Sequence, residues 1–244
     1  MIYNTHLFKS LLKPFILGAF LLTSSLPTKA DVVEIISFGH SAFLVKGGGH
    51  SVLINPFNPV ACAKGLKKPN VKADVILVSS ELPDEGSKDY KGTYFSQPGS
   101  YAIKGVNLQG SSAPHDRLGG RRFGYATAWQ WNQGGFNFLH LGGSVTPINL
   151  EEKLLFGRPD VLFIAVGGGA KVYNGQEAAK VVKDLNPRIV IPAQYARSKV
   201  LKECDQTDIQ PFLQSMEGVK VKKVGKSYKI RRKSPEETVI YLMP

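Results

Sequence analysis

The chain has 244 residues, 43% of them hydrophobic, enough to bury one large core or two compact halves. It carries 31 Lys+Arg against 19 Asp+Glu, a formal charge of +12, which bears on partners and solubility rather than on fold. Its two cysteines, Cys62 and Cys204, lie too far apart to read as a zinc-binding pair, and no repeat, low-complexity tract or long linker interrupts the text.

The first thirty residues read differently from the rest. Lys9 and Lys13 precede an apolar run over 14–26, and Pro27-Thr28-Lys29-Ala30 follows. This is the pattern of a secretory signal peptide cut after Ala30, and the run is shorter than the roughly 20 residues that span a bilayer. The expected mature chain is 31–244, with a formal charge of 28 − 19 = +9. It would be exported, to a periplasm, a thylakoid lumen or the outside. For an exported chain Cys62 and Cys204 are a disulfide candidate, the alternative being two free thiols.

Alternation predicts strands over 31–37, 42–46 and 51–55, with a turn at Phe38-Gly39-His40-Ser41 and a hairpin loop at Gly47-Gly48-Gly49. A Pro/Lys-rich connection leads to an apolar strand over 73–78, then to the loop Ser79-Ser80-Glu81-Leu82-Pro83-Asp84-Glu85-Gly86. Short strands follow at 93–95, 101–103 and 106–109, then longer ones at 125–131 and 136–140. Helices are predicted over 151–156, over 175–185 behind the N-cap Asn174, and over 208–216. Buried strands are expected over 160–166 and after Asn186, and a basic hairpin is expected from 219–230 and 238–243. The whole reads as an α/β (α+β) chain, a single domain after the leader.

Several stretches carry chemistry. FGHSAFLVKGGGHSVLINPF (38–57) resembles the opening hairpin of metallo-β-lactamase-fold hydrolases, in the subgroup related to ascorbate-phosphate lactonase. The run from ADVILVSS to PDEG (73–86) resembles that family's His-x-His-x-Asp-His-Gly. LHLGGSV (139–145) resembles its His-Leu-Gly-Asp, and NPRIVIPAQY (186–195) its strand ending in Pro-x-His-Tyr. The resemblance implies a four-layer αββα sandwich and, in active members, two zinc ions bridged by hydroxide. The seven ligand places fall on Ser80, Leu82, Asp84, Glu85, His115, Gly143 and Gln194, and only Asp84 and His115 keep the family residue. Asn55 stands where the family carries a buttressing aspartate. A catalytic zinc needs about three protein ligands, so the expectation is no cofactor, or at most one divalent ion on Asp84, Glu85 and His115.

Other candidates are a general-base pair His115-Asp116, alone or as a triad with a serine at 80, 111 or 112. Arg121 and Arg122 are candidates to bind an anion. His140 and His40 read as hydrogen-bonded structural histidines. No Gly-x-Ser-x-Gly elbow or Walker loop is present. The preferred expectation is an exported pseudo-hydrolase that binds or scaffolds a protein or an anionic small molecule. The alternatives are a divergent hydrolase of a phosphate ester or lactone, and a peripheral membrane or complex subunit using the basic C-terminal residues. Nucleic acid is not an expected partner of an exported chain.

Overall fold

The structure, a computed structural model, describes Met1 and residues 32–197, 203–231 and 235–244. The leader beyond Met1, and Arg232 and Lys233 of the basic run, lie outside the described residues. Strand β1 (Val32–Gly39) buries Val33, Ile35 and Ser37 and leaves the residues between them partly exposed, the period-two signature of a half-buried strand. Its partner β2 (Ala42–Gly47) turns into β3 (His50–Ile54) through Gly48 and Gly49, both at positive φ, where only glycine is unstrained. Next come β4 (Val75–Leu77) and β5 (Thr93–Phe95), both parallel to β3.

The second sheet begins with the antiparallel meander β6 (Gly99–Ile103), β7 (Val106–Pro114), β8 (Tyr125–Gln133) and β9 (Phe136–His140). It continues through the parallel strands β10 (Val161–Ala165) and β11 (Ile189–Ala193), both buried at every position, as strands covered on two faces are. The chain closes with β12 (Lys220–Lys223), β13 (Ser227–Arg231) and β14 (Val239–Leu242).

The basic C-terminal residues do not form the expected hairpin. β12 runs parallel to β14 at the edge of the second sheet, whereas β13 crosses to pair with β1 at the edge of the first. Alternation of lysines with apolar residues specifies strands, but it does not say which sheet edge each will find. The basic side chains are therefore divided between two edges.

The sheets face each other across a core in which Val33, Phe43, Val45, Ile54 and Leu77 meet Trp129, Trp131, Phe138, Phe163 and Ile191. Trp131 stacks on Phe138 at 5.0 Å between centroids. Gln133 fastens the layers: its amide nitrogen donates to the carbonyls of Gly47 and His50, each at 3.0 Å, and its oxygen accepts from the Trp131 indole. Outside the second sheet lie α1 (Leu150–Phe156), α2 (Gly175–Leu185) and α3 (Gln210–Ser215). Helix α2 opens with the capping box Asn174/Glu177 and turns Ala178, Val181, Val182 and Leu185 onto Leu162, Ile164 and Val190. Outside the first sheet, Leu44, Leu53, Ile76 and Val78 are covered by Val71 and Tyr90, from the irregular segments 55–74 and 78–92 that flank β4, and by Tyr94 of β5; the first of these segments carries the 3-10 turn Ala61–Ala63. The two-sheet α/β sandwich is thus present, with coil rather than α-helix forming this outer layer among the described residues.

Cys62 and Cys204 are bonded, closing a separation of 142 residues. Replacing both with serine is expected to lower the unfolding free energy by about 2–4 kcal/mol, measured by urea titration of the oxidised protein against the variant.

Candidate metal centre

The turns that follow β1, β3, β4, β7, β9, β10 and β11 gather at the C-terminal ends of those strands, where open α/β sheets place their sites. The central one is the loop 79–86. The carbonyl of Val78 accepts the Trp129 indole N–H at 2.9 Å, so the opposite sheet holds the point where the chain leaves β4. Asn55 then grips Ser79 twice, its oxygen accepting the Ser79 N–H and its amide donating to the Ser79 hydroxyl, both at 2.7 Å. A side chain at Gly86 would fall on the Ser80 backbone, so glycine there lets the loop close on itself. The result sends Asp84 and Glu85 inward, 3% and 0% exposed, while Glu81 and Pro83 face solvent.

Two carboxylates at such burial need compensating charge. Glu85 Oε1 lies 3.0 Å from Lys171 Nζ and accepts from Gln194 Nε2 at 3.1 Å, while Oε2 lies 3.1 Å from His115 Nε2. Asp84 Oδ2 lies 3.4 Å from Lys171 Nζ and 3.9 Å from His40 Nε2. Burial pushes the Glu85 carboxyl upward, but His115 and the Lys171 ammonium outweigh it and hold the group well below the usual carboxylate range. Burial likewise pulls Lys171 down, and Glu85 and Asp84 more than offset it, so the ammonium is held charged. His40 is shifted toward neutrality by burial, against the pull of Glu85 and Asp84.

Four polar side-chain atoms of these residues have no hydrogen-bond partner: His40 Nε2, His115 Nδ1, Glu85 Oε2 and His115 Nε2. The last two face each other within ion-pair distance but without hydrogen-bond alignment. Backbone conformation marks the same spot. His40, Asn55 and Gln194 are all left-handed, with φ of 51°, 43° and 48°, and strained residues of this kind concentrate at functional sites. The Gln194 N–H donates to the His40 carbonyl at 3.1 Å, tying the two turns together.

The sequence-derived candidates separate into groups. Asp84, Glu85, His115 and Gln194 meet. The Ser80 hydroxyl accepts the Leu82 N–H at 3.1 Å and so serves the loop. Gly143 is a cradle, because a Cβ there would fall on the His115 imidazole. His115 therefore lies in space that the family's bridging aspartate requires. Asp116 does not polarise His115: its two oxygens accept the N–H groups of Leu118, Gly120, Arg122 and Phe123 at 2.7–2.9 Å. Those bonds outweigh burial and hold its carboxyl at about 2. Its work is to fold the loop 117–124. No serine hydroxyl bonds to His115, and Ser111 and Ser112 are paired residues of β7. Arg121 donates to the Leu118 carbonyl, and exposed Arg122 lies over the ring of Phe123, which in turn lies 6.4 Å from His115.

His40, which reads in the sequence as a structural histidine, joins the two carboxylates, and Lys171 is a residue that the sequence does not single out. The signal for His40 was its place at the end of β1, and for Lys171 its place just beyond the Gly167-Gly168-Gly169 turn after β10. Neither follows a ligand spacing.

Residues 34–194 match the beta-lactamase superfamily domain. The chain belongs to this superfamily. It is 29% identical over 195 residues to a UPF0173 metal-dependent hydrolase of Pyrococcus furiosus, covering 67% of this chain and 85% of that one. Over 201 residues it is 27% identical to a UPF0173 metal-dependent hydrolase of Nitratidesulfovibrio vulgaris, covering 68% and 81%. Among solved structures it resembles a Thermotoga maritima protein assigned to the Zn-dependent hydrolases of the metallo-β-lactamase superfamily. The TM-score is 0.69 at 24% identity, over 87% of this chain and all of the other. A metallo-hydrolase of Ignicoccus hospitalis, Igni18, gives 0.60 at 20% identity, over 83% of this chain and 100% of the other. These superpositions speak for the fold. The relatives named as metal-dependent hydrolases correct the expectation that the superfamily member described here works without a cofactor.

Its residues fit one cation better than two. Ser80, Leu82 and Gly143 offer no ligand where the two-metal pattern needs one, and His115 fills the bridging place. His40, Asp84 and Glu85, however, present ligand atoms that all lie within 4.8 Å of one another. Three protein ligands, one of them an unpartnered imidazole nitrogen, are what an open catalytic site supplies, and a carboxylate-rich set favours hard ions such as Mn or Mg. The earlier trio shares Asp84 and Glu85 with this set, and the structure puts His40 in the third place.

His140 stands apart from this set. Burial, opposed by Glu85, holds its imidazole at about 4, and its Nδ1 accepts the Gly142 N–H at 3.1 Å. From the ordinary 6.5 down to about 4 the unfolded chain takes a proton that the folded chain refuses, so stability falls as pH is lowered through that window. His140→Gln is expected to remove about 3 kcal/mol of that acid loss, read from urea midpoints at pH 7 and pH 4 for both proteins.

Proposed function

We propose that this protein is an exported, divergent metal-dependent hydrolase that acts on a small anionic ester or lactone. The observation carrying the reading is the convergence of His40, Asp84 and Glu85, with His40 Nε2 and Glu85 Oε2 unpartnered in a buried site. A divalent ion held there would polarise the scissile bond and lower the pKa of a bound water. His115 Nε2, facing Glu85 and cradled by Gly143, is placed to take and return a proton. Arg122 lies over Phe123 at the rim and Lys171 lies 5.8 Å from the same ring, so positive charge borders the site, which suits an anionic substrate. Export is supported by the basic-then-apolar leader and by a disulfide, which persists in oxidising compartments.

A second reading, a binding or scaffolding role, is favoured by the His115 ring lying in the space of the missing bridging aspartate. Turnover distinguishes the two. Mature protein equilibrated with Mn is expected to hold about one equivalent by elemental analysis, falling below about a tenth in Asp84→Asn. It is expected to hydrolyse a panel of phosphate esters and lactones, with His115→Ala slowing kcat by about 10²–10⁴. Stoichiometric metal with no turnover across the panel would favour the binding role.

A further inference from the structure

We infer that Lys171 is a tethered counter-cation that competes with the metal: its ammonium holds the Asp84–Glu85 pair, and a divalent ion binds only by displacing it. This deepens the single-cation reading and rests on it.

The first observation is that both cations seek the same two carboxylates. Lys171 Nζ lies 3.0 Å from Glu85 Oε1 and 3.4 Å from Asp84 Oδ2, on the two carboxylates that a metal with His40 would share. An ammonium and a dication cannot both occupy that pair without strong repulsion in a buried site.

A second observation shows that the lysine is placed rather than incidental. The turn carrying it is held on both sides. The Gly167 carbonyl accepts from the N–H and the hydroxyl of Thr207, at 2.7 and 3.1 Å, and the Ala170 N–H donates to Asp205 Oδ2 at 2.8 Å. Arg117, paired bidentately with Glu177 at 2.8 Å, donates also to the carbonyls of Gly169 and Val172, so it spans the turn across Lys171. Asp205 follows Cys204, whose bond to Cys62 fixes that segment. The anchored backbone leaves the side chain as the part that moves. Lys171 is only 14% exposed yet lies 5.8 Å from the Phe123 ring at the rim, so an outward swing takes the ammonium along that ring toward Arg122. There it would meet the anionic group of a substrate, which makes metal loading and anion capture one event.

The test uses the oxidised mature chain and Mn alone. Isothermal titration is expected to give one site in the native protein and at least a tenfold tighter one in Lys171→Met. Adding Asp84→Asn to Lys171→Met is expected to remove it. Equal affinities in native and Lys171→Met would overturn the inference while leaving the single-cation site standing. No binding by either at millimolar Mn would overturn both. The native protein gives an independent readout: reductive methylation followed by peptide mass spectrometry is expected to label Lys171 several-fold faster with saturating Mn. Unchanged labelling at saturation would overturn the inference without reliance on a variant.

Discussion

Two adjacent carboxylates, Asp84 and Glu85, are carried into the interior by one tight loop, and most of the surrounding architecture exists to tolerate them. Burying an ion costs several kcal/mol even after relaxation. An ammonium at 3.0 Å returns about 5 kcal/mol at an effective dielectric of about 20, which is of the same order. The balance is therefore close, and it depends on Lys171, His115 and Gln194 all staying in reach. A dication would offer twice the charge to the same carboxylates.

The dependence runs outward through the fold. Trp129 and Asn55 fix the start of the loop from two different strands, and Gly86 permits its close turn. Asp116 shapes the rim loop that brings Phe123 over the imidazole of His115, and Arg117 in the same loop pins the turn bearing Lys171. The disulfide reaches the site through Asp205. Left-handed backbone at His40, Asn55 and Gln194 costs of order 1–3 kcal/mol each and is maintained by this packing.

On the single-cation reading proposed above, the ligand set is rebuilt rather than simply reduced, within a superfamily whose relatives are named metal-dependent hydrolases. Glycine at 143 leaves the His115 imidazole room beside Glu85, and Glu85 sets a second carboxylate next to Asp84. His40, from the first hairpin, presents its imidazole to both carboxylates. Each change makes sense only alongside the others, because a buried charge left without a partner is costly.

Much of this was legible from residues alone. Period-two alternation, triglycine turns and the Asn174 cap place the strands and α2 within a few residues, since these signals are local. Ordered motifs gave the sandwich, and they brought Asp84, Glu85, His115 and Gln194 into one site. What no local signal carried was partnership. That β12 and β13 join different sheets, that Asp116 bonds its own loop and not His115, and that His40 and Lys171 approach the carboxylates from turns after β1 and β10 are facts of distance between remote segments. Spacing along a chain determines which way a side chain leaves its own element. Only the packing of the two sheets decided what it would meet.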